Sequence, residues 1–192
     1  MNFVFDIGNV LVDFKPEIFL KGFIDDATDR NRINEIIFKS SEWIELDRGT
    51  ITAEEAGENF CNREPQYRDL IGMTMARIPE MLTLKEETAK MLPKVKAAGH
   101  GLYYLSNYHK DLSRFIQNKY DIFTLFDGGV FSCDVRLIKP SAEIYEFFLE
   151  KYQLTPETCL FIDDTAENVT GAQKVGMKGV VFTEACALAS YI

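Results

Sequence analysis

Cysteine is scarce in this 192-residue chain: Cys61, Cys133, Cys159 and Cys186 stand far apart and form no C-x-x-C pair. That argues against a disulfide framework or a cysteine zinc site, and it fits a reducing cytoplasm. Positive charge is short as well, with 21 Lys and Arg against 30 Asp and Glu and a net charge of −9. Such a surface repels nucleic acid and anionic membranes, so neither is an expected partner, and an anionic substrate would need a local positive pocket. Long apolar runs are missing. Asp6 and Asp13 interrupt the N-terminal one, which has no basic flank, so neither a signal peptide nor a membrane-spanning helix is predicted. There is no internal repeat, low-complexity tract or long linker. What remains, 46% hydrophobic and 27% charged, is an ordinary soluble composition, enough for one domain or for one carrying an inserted module.

Five short apolar runs rich in β-branched and aromatic residues do recur: FVF (3–5), LYYLS (102–106), GVF (129–131), CLFI (159–162) and GVVF (179–182). Helical patterns lie between the later ones, and that alternation predicts an α/β fold, a doubly wound, Rossmann-like parallel sheet wrapped by helices. Residues 83–99 read as a helix opened by a capping box (Thr83, Glu86), closed at Gly99 and kinked or divided at Pro93. Ser141 is the expected N-cap of the next helix, and another runs from Thr165 to Gly176. Residues 15–80 show helical periodicity and no convincing strand, with a further capping box at Thr52 and Glu55. They read as a small helical cap domain inserted after the first strand, leaving 1–14 and 81–192 as the core domain. Within the cap, EWIELDRGT (42–50) reads as a candidate loop reaching the crevice, with Trp43 and Arg48 as candidate contacts, against the favoured readings of a core tryptophan and a solvated arginine.

Two of the apolar runs end in acid. FVFDIGNV carries Asp6 out of the first strand and follows it with Gly8 and Asn9; FIDD places Asp163 and Asp164 at the end of another. In a doubly wound sheet the carboxyl ends of the strands gather at one crevice, where ligands bind. Three carboxylates converging there repel one another unless a cation neutralises them, and oxygen-only ligation with room for water suits Mg²⁺. Ser106 and Asn107, at the tip of LYYLS, offer a hydroxyl and backbone N–H groups to an anion, and Lys139, before Pro140, offers a point charge.

In order and spacing these segments resemble the four motifs of the haloacid dehalogenase-like hydrolase superfamily: FDIGNV, LSN, KP and FIDD, spread over essentially the whole chain. The branch with a helical cap, and within it bacterial phosphatases of sugar phosphates such as glucose 1-phosphate, is the most similar. The resemblance implies a Mg²⁺-dependent phosphatase for a small phosphorylated metabolite; the aromatic-rich composition permits either a monomer or a homodimer. Asp6 would attack phosphorus and form an aspartyl-phosphate. The Asp6 carboxyl, the Gly8 carbonyl and Asp163 would hold Mg²⁺, supported by Asp164, while Gly8, Asn9, Ser106, Asn107 and Lys139 would surround the phosphoryl group.

One position departs from that pattern. The residue two beyond the nucleophile, in most such phosphatases a second Asp that protonates the leaving oxygen and activates water, is Gly8. The role then passes to another group, with His109 and Asp13 nearest in sequence, or to water, or catalysis is weak. Gly8 also permits two rivals: a metal-independent 2-haloacid dehalogenase, which needs no second Asp, and a non-catalytic phosphosugar-binding protein. The Asp163–Asp164 pair argues against the first. The retained Asp6, Lys139 and Asp163 set is unexplained by the second.

Overall fold

The computed structural model describes residues 1–191. Each of the five apolar runs is a strand: β1 (Asn2–Phe5), β2 (Gly101–Ser106), β3 (Gly128–Phe131), β4 (Cys159–Asp163) and β5 (Lys178–Val181). They form one sheet in the order β3-β2-β1-β4-β5, with every pairing parallel. β1 therefore lies in the middle, with Phe5 level with Tyr104 of β2 and Ile162 of β4. The chain winds outward from β1 in both directions, which makes the carboxyl end of β1 the point where the strand order reverses.

Alternation along β1 sends Phe3 and Phe5 to one face and Val4 to the other, and all three are fully buried because helices cover both faces. The Val4 face packs with Leu105, Val130 and Phe161 against α10 (Ala142–Tyr152) and α11 (Ala166–Lys174). On the Phe3 and Phe5 face the core runs on without a break into the helices that follow β1. These are α1 (Pro16–Lys21), α2 (Ala27–Ile37), α3 (Ser41–Arg48), α4 (Ala53–Arg63) and α5 (Arg68–Met81), with no strand among them. Ile33, Ile36 and Ile37 of α2, Trp43 and Leu46 of α3 and Phe60 of α4 share that cluster.

The remaining helices are α6 (Glu86–Ala89), α7 (Leu92–Ala97), α8 (Lys110–Lys119) and α9 (Ser132–Val135). Pro93 does divide 83–99 into α6 and α7, sitting in the first turn of α7, where its missing N–H costs nothing. The capping box expected at Thr83 is absent. The N-cap is Lys85, and Thr83 instead bonds Asp13 through its hydroxyl (3.1 Å) and, as acceptor from the Asp13 N–H, through its carbonyl (2.8 Å). The box at Thr52 and Glu55 is present in both its bonds. Ser141 stands at the N-cap of α10, but its hydroxyl bonds Glu143 rather than a backbone N–H.

EWIELDRGT is not a loop. Residues 41–48 are helix α3, capped by Ser40, whose hydroxyl accepts from the Trp43 N–H at 3.1 Å. The helix ends at Gly49, which turns left-handed (φ 74°) and runs so close to α9 that a Cβ there would stand 2.4 Å from the Cys133 carbonyl oxygen. Only glycine allows both the turn and the approach.

Candidate active site

Asp6 follows β1 directly, its N–H donating to the Ile162 carbonyl (2.8 Å) as though the strand continued one step further. Its carboxyl is then held from behind: Oδ1 accepts from the Ser106 hydroxyl at 2.5 Å and lies 2.8 Å from Lys139 Nζ. Both contacts act on the same oxygen, so Oδ2 is left to the cavity that Asp6 lines. Lys139 also reaches Asp163 Oδ2 at 2.6 Å. Asp163 is fully buried and further held by the Thr165 N–H (2.8 Å) and the Asn168 amide (3.1 Å to each oxygen). Asn107 clamps the Lys139 peptide, its amide donating to the carbonyl (3.0 Å) and its oxygen accepting from the N–H (2.9 Å).

The charges do not balance. Carboxylate oxygens of Asp6, Asp163 and Asp164 lie within 4.8 Å of one another, with one ammonium among them. Burial, opposed by Lys139 and reinforced by Asp163, pushes the Asp6 carboxyl up to about 6. Asp164, the most exposed of the three, is also raised, by burial and then by Asp163, against a hydrogen bond from the Asn9 side chain. Burial pulls Lys139 down, but its two carboxylate neighbours outweigh that and hold it above the usual lysine range. Three hard oxygen donors with surplus negative charge fit a divalent cation such as Mg²⁺. Asn9, left-handed at φ 54°, turns the chain after Gly8, and its side-chain oxygen accepts from the Phe14 N–H at 3.0 Å.

Above this floor is a cavity of roughly 200 Å³. Asp6, Gly8, Asn9, Asn107, Lys139 and Asp164 open on it, as the sequence reading expects. Ser106 and Asp163 do not line it; they lie beneath, and the Ser106 hydroxyl is committed to Asp6. Asp13 is outside too, paired with Lys15 at 2.7 Å and bonded to Thr83. His109 does line it, but burial pushes its imidazole down to about 4, outweighing the opposing pull of Asp111, so it is neutral near pH 7. Trp43 reaches the cavity, edge-on to His109 at 5.6 Å between centroids. Arg48 does not, and it pairs with Glu45.

Asp47 and Tyr108, neither of them among the sequence expectations, also line the cavity. The signal for Asp47 was available: on a helix the residue that shares a face with Trp43 is four places on, which is Asp47 and not Arg48. The Asp47 carboxyl takes a hydrogen bond from the His109 backbone N–H. Its carbonyl accepts from the Ser132 hydroxyl, which in turn accepts from the Tyr108 N–H at 2.9 Å. Burial, then repulsion from Asp6, opposed by Lys139 and by the His109 N–H, pushes the Asp47 carboxyl up to about 7.

A family model for haloacid dehalogenase-like hydrolases matches residues 1–176. The chain belongs to that family. Among curated members it is 26% identical over 184 residues to the sesquiterpene phosphatase astK of Aspergillus oryzae, covering 96% of this chain and 90% of that one. The fold is shared with the family enzyme bt-2542 of Bacteroides thetaiotaomicron, solved with magnesium and inorganic phosphate (TM-score 0.71, 18% identity, 95% and 93% of the two chains). It is shared equally with a dehalogenase solved as an intermediate complex (TM-score 0.74, 17% identity, 95% and 84%). Family membership thus makes the chain a hydrolase and leaves the bond it cleaves to the site.

Proposed function

We propose that the protein is a Mg²⁺-dependent phosphatase that hydrolyses a small phosphorylated metabolite through an aspartyl-phosphate on Asp6. The observation that carries this reading is the surplus of acid: three carboxylates within 4.8 Å share one lysine. A dehalogenase gains nothing from Asp164 beside Asp163, since without a cation their charges only repel. A phosphatase uses them. Asp6, Asp163 and Asp164 would hold the ion, with the Gly8 carbonyl as the remaining proposed ligand, and bound Mg²⁺ would supply charge neutralisation at the phosphoryl oxygens.

The chain's own groups do the rest. Ser106 and Lys139 fix one Asp6 oxygen, which aims the other for in-line attack. Lys139 is held at its peptide by Asn107 and faces the cavity, where its ammonium stabilises negative charge on the phosphoryl group. The Asn107 backbone N–H is the proposed remaining contact, since that of Asn9 is already donated to the Val12 carbonyl at 2.7 Å.

For the substrate, a sugar phosphate such as glucose 1-phosphate is the first candidate. The cavity is small, and its outer wall pairs the rings of Trp43 and Phe14 with the polar groups of Asp47 and Tyr108. Aromatic faces beside hydrogen-bonding groups suit a sugar ring better than a long hydrocarbon. We place the enzyme in the cytoplasm, on four cysteines that are all free thiols. Among the described residues no helix is long and apolar enough to cross a membrane.

The test is turnover of a sugar-phosphate panel with Mg²⁺ and with EDTA, beside halide release from 2-haloacids. Phosphate release that EDTA abolishes and Mg²⁺ restores is expected. Halide release undiminished by EDTA would replace this reading with the dehalogenase one.

A further inference from the structure

The place two residues beyond Asp6 is open. A Cβ on Gly8 would have no atom within 4 Å, and Gly8 faces the cavity. A proton for the leaving group then comes from water or from another group in the wall. Apart from the Asp6, Asp164 and Lys139 cluster, the titratable side chains there are Asp47, Tyr108 and His109. The His109 ring packs at right angles to Trp43 and is buried and neutral near pH 7, and its backbone N–H is spent on Asp47.

Asp47 is held as a working group would be. One end is fixed by the Ser132 hydroxyl on its carbonyl and the other by the His109 N–H on its carboxyl. Gly49, two residues on, locks the end of α3 against Cys133. Tyr108 lines the same cavity, and its hydroxyl is buried with no hydrogen-bond partner among the described residues. A buried unpaired hydroxyl is costly unless a ligand or water completes it.

We propose that Asp47, contributed by the helical segment, is the acid–base residue of this site and fills the role left open at Gly8. This rests on the phosphatase reading above. In the first step Asp6 Oδ2 bonds to phosphorus, the bond from phosphorus to the leaving oxygen breaks, and the Asp47 proton passes to that oxygen, releasing an alcohol. In the second step the Asp47 carboxylate takes a proton from water, the resulting hydroxide bonds to phosphorus, and the bond from phosphorus to Asp6 breaks. Inorganic phosphate leaves, and both carboxyls return to their starting forms.

The electrostatics agree. A carboxyl raised to about 7 is available in both protonation states near neutral pH. The groups that face it are Asp6, Lys139 and the His109 N–H, with Tyr108 and Cys133 also within its field.

The experiment compares wild type, Asp47→Asn and the double variant Gly8→Asp/Asp47→Asn. Substrates are aryl phosphates of graded leaving-group acidity and glucose 1-phosphate, all with saturating Mg²⁺, and matching melting temperatures establish folding. Proton transfer from a placed group is worth ~10²–10⁴-fold, so Asp47→Asn should lose that much kcat on the poorest leaving group and far less of its first turnover on p-nitrophenyl phosphate. With no base for the second step, p-nitrophenol should appear as a burst. The double variant should recover kcat, because an acid returns from the other side. An equal loss on every substrate, a rise in KM at unchanged kcat, or no recovery in the double variant would overturn the role of Asp47. A wild type that releases no phosphate from any of them would instead overturn the phosphatase reading itself.

Discussion

The floor and the roof of the cavity are built in different ways. The floor comes from strand ends: Asp6 after β1, Asn107 after β2 and Asp163 at the end of β4, each brought to the crevice by the parallel register of the sheet. The roof comes from a helix. Trp43 and Asp47 reach the same space only because α3 lies against α9 at Gly49 and is tied to the β2 loop through Ser132 and His109. Floor geometry is set by the hydrogen-bonded register of the sheet, which joins strand ends far apart in the chain. Roof geometry depends on packing between distant segments, so it is where the site is most easily perturbed and where the chemistry of the leaving group is decided.

If the floor carries the covalent step, Asp6→Asn should keep its fold and lose essentially all turnover, on the order of 10³-fold or more, as removal of a nucleophile does. Steady-state assay beside circular dichroism checks it; a tenth of the activity surviving would remove Asp6 from the mechanism. EDTA should silence the wild type almost as completely, and Mg²⁺ should restore it.

A blow to the roof alone should be milder. Gly49→Ala forces a side chain into a left-handed turn and against the Cys133 backbone, so α3 must shift. A stability loss of about 1–3 kcal/mol is expected, by denaturant titration, with a fall in kcat larger for poor leaving groups than for p-nitrophenyl phosphate. Melting that is unchanged would mean that α3 is not pinned there.

Asp47 also gives a pH signature. Its carboxyl is raised in the folded protein from 3.8 to about 7. The folded state therefore binds more protons than the unfolded state between those values, and the stability this group contributes falls as pH rises through that window. Metal-free Asp47→Asn should melt higher than wild type at pH 8, and the gap should close towards pH 5. A gap independent of pH would contradict the burial of that carboxyl. The smallest effect belongs to Arg48→Ala, whose side chain pairs with Glu45 on the surface of α3; activity within about twofold of wild type is expected, since such exposed pairs contribute little.

The same contrast explains what could be read from the sequence. All five strands were legible because short apolar runs bounded by turns carry their own signal, and Asp6, Asp163 and Lys139 were legible because each sits at a fixed offset from a strand or a proline. The Thr52 and Glu55 box was legible as a local motif. Thr83 was misread because its hydroxyl is drawn to Asp13, 70 residues away, which no local pattern records. Asp47 does not stand out in the sequence because 42–50 has the polar pattern of a loop, and only on a helix does its four-residue spacing from Trp43 put the two on one face. The ambiguity at His109 and Asp13 was one of burial and pairing, which are tertiary: His109 is buried and neutral, and Asp13 faces Lys15 away from the cavity.

The measurement that bears most directly on the account is acid quench of Asp47→Asn during turnover of p-nitrophenyl phosphate with Mg²⁺, followed by peptide mapping of the trapped phosphate. Phosphate should be found on Asp6, at a higher level than in wild type quenched at the same time, because the floor still attacks while the roof can no longer activate water. Phosphate-free protein during active turnover, or phosphate on any other residue, would contradict a covalent mechanism on Asp6.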